Sequence, residues 1–270
     1  MSRRILACVF VALAIAGCET VQTTERGTVG VDRTQRMMIS EAEINSAAAQ
    51  SYRETLKEAS AKGLLNRDAS HVNRVRAVAN RLIPAAGIFR ADSLKWSWEI
   101  NVISSKEVNA WCMPGGKIAV YTGLIDTLRL TDAELAAVMG HEIAHALREH
   151  GREKASQQAA QNALIGVGAA LLGIGEGGAS LANIAAQVTY GLPNSREFER
   201  EADRIGVELA ARAGYDPNAA ITLWQKMAQS SGSSGTPGFL NTHPSASDRI
   251  SDLQKYAQQV MPLYQASLRR

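Results

Sequence analysis

The pentapeptide His141-Glu142-Ile143-Ala144-His145 sets the tightest limit on how this chain folds. Two histidines four residues apart reach one metal ion only from one face of a helix, where positions i and i+4 stand a turn apart. A helix is therefore predicted through 141–145. Thr131 and Glu134, three residues apart, mark its start as a capping box, in which each side chain satisfies the other's backbone N–H. Glu142 is badly placed to ligate but well placed to take a proton from a water made acidic by the ion. The expected chemistry is a zinc site with His141 and His145 as ligands and Glu142 as catalytic base.

Catalytic zinc takes three protein ligands and keeps a position open. The metzincin pattern is excluded, because it requires a glycine three residues and a histidine six residues after the second histidine, where Arg148 and Gly151 stand. Continuing the helix at about 100° per residue puts His150 on the opposite face, so it is expected to contact the helix C-terminus rather than the ion. The segment from Ser195 to Asp203 offers Glu197, Glu199 and Glu201 as carboxylates. Only Glu199 has an aspartate at i+4. Asp203 shares its face and can accept a hydrogen bond from the free ring nitrogen of a ligating histidine. Arg196, Arg200 and Arg204 interleave with the acids as on a solvated face. The nearby H-E-x-x-H turns the reading toward Glu199 as third ligand.

Elsewhere the pattern alternates between periods. The Ala/Glu/Lys/Arg-rich stretch from Ser40 to Lys62 favours helix, with Gly63 placed to end it. Val72, Val75, Ala79 and Leu82 recur at helical spacing between Ala69 and Ile83, ahead of Pro84. Trp98, Ile100 and Val102 alternate as in a strand, Lys117 to Tyr121 reads as another, and Pro114-Gly115-Gly116 as a turn. The Gly/Ala-rich segment from Ala163 to Ala186 is broken by Gly175-Glu176-Gly177-Gly178 into halves too short to span a membrane, and is read as a helical hairpin or plug over the cleft. A charged helix from Ser195 to Ala213, a flexible stretch from Ser230 to Gly238 and a final helix from Ser245 to Val260 follow. The predicted fold class is α+β: one mainly helical domain over residues 37–270 with a small sheet.

Four motifs in order resemble the HtpX/BepA/LoiP-like zinc metallopeptidases, gluzincins that include the CAAX prenyl endopeptidases. They are N-A-W-C-M-P-G-G-K-I-A-V-Y-T-G from Asn109, H-E-x-x-H from His141, E-x-x-x-D from Glu199 and T-H-P-S-A-S-D-R-I from Thr242. The resemblance implies one Zn2+ held by His141, His145 and Glu199, with Glu142 as general base and acid and Asp203 behind the ligands. It implies that Asn109 to Tyr121 holds an active-site edge strand on which substrate lies as an added strand, touching Asn109, Ala110 and Trp111. Asn109, His243 and Arg249 are the implied helpers at the oxyanion. Three roles stay open for His243: donor to the oxyanion, occupant of the zinc's open position, or cap of the helix near Ser245. The membrane spans and repeat arrays of some relatives have no counterpart in this sequence, so the resemblance is nearest to single-domain envelope lipoproteins. Unfolded or misassembled envelope proteins are then the expected substrates. A chaperone-like or scaffold module for outer-membrane protein assembly is the competing reading, against which Glu142 argues, since a pure binder needs no base. A zinc hydrolase of non-peptide bonds would have little use for a peptide-aligned strand.

The N-terminus agrees with an envelope location. Arg3 and Arg4, an apolar run from Ile5 to Ala16, then Gly17 and Cys18 follow the order of a secretory signal over residues 1–17. Ile15-Ala16-Gly17-Cys18 resembles a lipobox, which makes Cys18 a lipid anchor to the membrane. Residues 18–36 are polar and aperiodic and read as a tether. Glu19, where an aspartate would signal inner-membrane retention, favours the periplasmic face of the outer membrane, with its assembly machinery as a partner to consider. Cys112, left without a disulfide partner, reads as a packing thiol. The chain carries 29 basic against 26 acidic residues, and two of the basic ones lie in the leader. Such balance gives no electrostatic case for nucleic acid.

Overall fold

The computed structural model describes residues 19–172, 180–230, 238–244 and 248–269. The expected leader with Cys18, the Gly175–Gly178 break, residues 231–237 of the Ser/Gly stretch and the expected helix start at Ser245 lie outside the described residues.

The architecture is α+β and mainly helical. Two short strands, β1 (Glu19–Val21) and β2 (Gln35–Met37), pair antiparallel at the N-terminus. Here the structure corrects the expected tether: residues 19–37 form a strap bound to the domain. Val29 and Val31 are buried, as are Thr24 and Gln35, and Arg33 reaches Glu153 and Glu201. The composition misled because these polar side chains meet buried charges of the domain rather than water.

Helix α1 (Glu41–Ala61) opens on a Ser40–Glu43 capping box. Helix α2 (Ala69–Ala86) buries Val72, Val75, Ala79 and Leu82, the expected face. Pro84 lies inside its last turn rather than beyond it, where it gives up a single backbone bond. Strands β3 (Glu99–Ile103), β4 (Ala110–Met113) and β5 (Lys117–Tyr121) make a sheet of order β3-β5-β4, with β5 parallel to β3 and antiparallel to β4. The β4–β5 turn runs through Gly115 and Gly116, both at positive φ. β4 is thereby an edge strand.

After α3 (Thr122–Leu128) comes α4 (Asp132–Leu147), opened by the predicted Thr131–Glu134 capping box and buried at every residue from Glu134 to Leu147. Helices α5 (His150–Leu172) and α6 (Leu181–Ala186) lead to a π-helical turn, Gln187–Gly191. They are followed by α7 (Arg196–Arg212), α8 (Ala219–Ser230), α9 (Gly238–Thr242) and α10 (Arg249–Ser267). One core joins α2, α4, α7, α8 and α10 through Leu82, Leu135, Ile143, Ile205, Leu209, Trp224 and Leu253. Each large apolar side chain buried there contributes about 1.5–3 kcal/mol. Among the described residues no helix is long and apolar enough to cross a membrane.

Helices α4 and α7 touch through glycine. A Cβ on Gly140 would stand 2.9 Å from the Gly206 carbonyl oxygen, and one on Gly206 would stand 2.8 Å from the His141 backbone nitrogen. Both approaches are closer than carbon tolerates. The two helices that carry the predicted ligands thus run backbone against backbone.

Candidate metal centre

That close crossing brings α4 and α7 together side chain by side chain. The Nε2 atoms of His141 and His145 lie 3.1 Å apart, and Glu199 Oε1 lies 3.3 Å from His145 Nε2. His243, just after α9, adds its Nδ1 at 3.1 Å from His141 Nε2 and 3.0 Å from Glu199 Oε1. All four side chains are buried, and their donor atoms lie within 4.8 Å of one another. Lone pairs so converged repel unless a cation sits among them. A tetrahedral ion with bonds of about 2.0–2.1 Å separates its donors by roughly 3.3–3.4 Å, close to the spacing here. Glu199 Oε2 is buried, 3.5 Å from His141 Nε2 and 3.0 Å from the Arg249 guanidinium. Three imidazoles and one carboxylate are a donor set that suits a single zinc ion.

The protonation states agree. Burial works against a charged Glu199, but His243 and His141 hold its carboxyl well below the usual range. Burial pushes His145 well below the ordinary imidazole value. A carboxylate and a neutral imidazole are the forms that bind metal. Burial also opposes charge on His141, yet Glu199 and Asp203 raise it to about 9, so a metal competes there with a proton. Glu142 is buried beside the cluster and is raised by that burial, against the pull of His243 and His141. Its Oε1 faces His243 Nε2 at 3.3 Å. The nearby backbone of Cys112 on β4 also favours the charged form of Glu142, to a smaller extent.

Behind the cluster, the two helix histidines are held differently. Asp203 Oδ1 accepts from His141 Nδ1 at 2.9 Å, the position the i+4 spacing foresaw. Arg249 donates to the same Oδ1 at 2.7 Å and lies 3.0 Å from Glu199 Oε2, with its guanidinium over the Trp224 ring. Arg249 therefore braces a carboxylate pair, rather than standing free for an oxyanion as the resemblance implied. His145 Nδ1 meets His150 Nδ1 at 2.9 Å, and His150 Nε2 meets Glu201 Oε2 at 2.9 Å. This corrects the expected C-terminal contact for His150. α4 ends at Leu147 and Glu149 turns the chain left-handed at φ 51°, so counting at helical phase past that point fails. No glycine at 149 announced the turn. Sequence reasoning also passed over Asn194, whose amide donates to Glu199 Oε1 at 2.9 Å, and Lys154, whose ammonium holds the Val188 and Leu192 carbonyls and Asn194 Oδ1.

The expected substrate strand is covered. Ala110 to Met113 are all buried, and the Tyr190 ring of the π-helical turn lies 5.5 Å from that of Trp111. The covering element is thus Gln187–Gly191, just beyond the Ala163 to Ala186 segment expected as a plug. The Asn109 amide is occupied nearby, accepting from Ala110 N and donating to Glu107. Cys112 is buried and burial pushes its thiol well up, so it is a packing group.

The sequence matches the description "Peptidase family M48" over residues 69–257. The chain belongs to this family. The match contains the edge strand, His141, Glu142, His145, Glu199, Asp203, His243 and Arg249. Among its relatives, the mitochondrial metalloendopeptidase OMA1 of Schizosaccharomyces pombe is 36% identical over 183 residues, covering 67% of this chain and 52% of that protein. The metalloendopeptidase OMA1 of Bos taurus is 33% identical over 214 residues, covering 74% and 40%. The β-barrel assembly-enhancing protease of Escherichia coli K12 is 32% identical over 186 residues, covering 65% and 38%. The matched part of this M48 chain spans about half or less of these relatives' own length.

Proposed function

We propose that this M48 chain is a zinc-dependent endopeptidase of a bacterial cell envelope that hydrolyses unfolded or misassembled envelope proteins. The observation that carries the reading is the buried Glu142 carboxylate set beside a His/His/Glu donor cluster. When bound, zinc acidifies a water and polarises a carbonyl. In this proposal His141, His145 and Glu199 hold the ion, and Asp203 and Arg249 fix their orientation. Glu142 takes the proton of the attacking water on a carboxylate oxygen and delivers it to the leaving amine nitrogen. The β4 strand offers its backbone edge to an extended substrate once the Gln187–Gly191 turn moves off, a mode tolerant of sequence and suited to unfolded chains.

An envelope address is supported by the leader and the lipobox-like Cys18, and the named role of the E. coli relative is compatible with it. We place the protein at the periplasmic face of the outer membrane, held by lipid. Glu142→Gln tests the activity. Hydrolysis of an unfolded protein should fall by about 10²–10⁴-fold while zinc content holds, because the residue moves protons and does not ligate. Full activity in that variant refutes the mechanism. Envelope proteins that accumulate on the inactive variant would name the substrates, whereas an unchanged cellular role would favour a scaffold.

A further inference from the structure

The hydrogen bonds behind His145 lead out of the catalytic domain's own helices and into the N-terminal strap. With His145 Nε2 facing the ligand cluster, its Nδ1 carries the proton and donates to His150 Nδ1. His150 then carries its proton on Nε2 and donates it to Glu201 Oε2. Each ring has only one tautomer that satisfies both of its contacts. Glu201 is itself clamped by two guanidiniums. Arg148 donates to its oxygens at 3.1 and 3.2 Å, and Arg33, 168 residues away in sequence, at 2.9 and 3.1 Å.

Both clamps depend on the strap. Arg33 belongs to it, and its outer nitrogens also fork onto Glu153 at 2.7 and 2.9 Å. Arg148 is fully buried and donates to the Arg33 carbonyl and to the Thr23 and Thr24 hydroxyls. Gln35 adds bonds to the Arg148 carbonyl and to Glu153. Without residues 19–37, Glu201 would lose one of its two clamps and the other would be left with unpaired buried donors, a costly arrangement.

We propose that the strap is part of the metal-holding apparatus, with Arg33, Glu201 and His150 acting as positioning residues that fix the ring of His145. The inference rests on reading His145 as a zinc ligand. It assigns to an N-terminal segment, otherwise read as a spacer, a direct share in zinc affinity. Hydrogen-bonded partners of ligating histidines typically change metal affinity by about 10–100-fold when lost.

The test measures zinc affinity by chelator competition and the visible spectrum of the cobalt(II)-loaded protein. His150→Phe keeps the stack on Phe198, whose ring lies parallel at 4.4 Å, but deletes both nitrogens. It should weaken zinc by about 10–100-fold and shift the cobalt bands. His150→Gln, with an acceptor and a donor on one planar group, should recover most of the affinity. Arg33→Ala should weaken zinc in the same direction with no change at α4 itself, and it decides the strap's share even if the phenylalanine variant does not fold. A phenylalanine variant with wild-type zinc affinity and cobalt spectrum would mean packing rather than a relay, and overturn the proposal. Arg33→Ala with wild-type affinity and spectrum would also overturn it. A wild-type chain that takes up no zinc would instead bring down the ligand assignment beneath it.

Discussion

His243 Nε2 lies 3.3 Å from Glu142 Oε1, while its Nδ1 lies 3.0 Å from Glu199 Oε1. One imidazole therefore reaches from the ligand cluster to the base, through the space a water must hold for Glu142 to act on it. Phe239 stacks on the ring at 4.2 Å and steadies it there. Of the three roles open from sequence, this geometry favours the occupant of the fourth position. The cap role is tied to a helix start at Ser245, which lies outside the described residues.

His243→Ala should accordingly raise hydrolysis of an unfolded protein. If the open form is populated at about 10% or less, removing the blocking ring gives about a tenfold gain or more. A stopped assay comparing initial rates at equal zinc content reads this directly. A large fall in rate would assign the ring to the oxyanion instead.

Glu199→Gln and Asp203→Asn should separate a ligand from its neighbour. The first removes a charged donor and should abolish stable zinc uptake. The second leaves all donors in place and should cost about 10–100-fold in affinity. Equal affinities for the two variants in equilibrium dialysis would reject Glu199 as ligand.

Lys154 gives the stability a pH dependence of defined sign. Burial lowers it from 10.5 to about 8, against the pull of Glu199. Between about pH 8 and 10.5 the unfolded chain binds the proton that the folded chain has released. Stability from this group therefore rises with pH across that window. Denaturation midpoints of wild type and Lys154→Met, followed from pH 7.5 upward, should diverge in favour of wild type. The variant should also free the Val188–Asn194 segment, exposing it to limited proteolysis. Midpoints that run parallel at all pH values would contradict the assignment.

Cys18→Ala should leave an unprocessed, unlipidated chain that partitions into the aqueous phase in a detergent separation. Partitioning of that variant with the detergent would point to another anchor.

How far the sequence could be read depended on whether a residue's partners were local. His141, His145 and the helix under them follow from period and spacing alone, and Asp203 from the i+4 rule. β5 and the capping box at Thr131 were likewise encoded within a few residues. His150 was misread because the turn at Glu149 uses a residue type that rarely announces it. The strap was misread because polar side chains look alike whether they meet water or a buried guanidinium. Arg33 and Glu201 lie too far apart in sequence for any local pattern to join them. Asn194 and Lys154 act through backbone carbonyls, which leave no trace in side-chain patterns.

The contact of Gly140 with Gly206 has a consequence for how damage to this protein would present itself. Zinc holds its ligands to within about 0.2 Å. A single methyl group at either glycine would prise α4 from α7 and shift two histidines relative to Glu199. A screen for metal loss would then return these two positions alongside the ligands, although neither has a side chain with which to bind anything. The most exacting dimension of the site is set by what is missing at its seam.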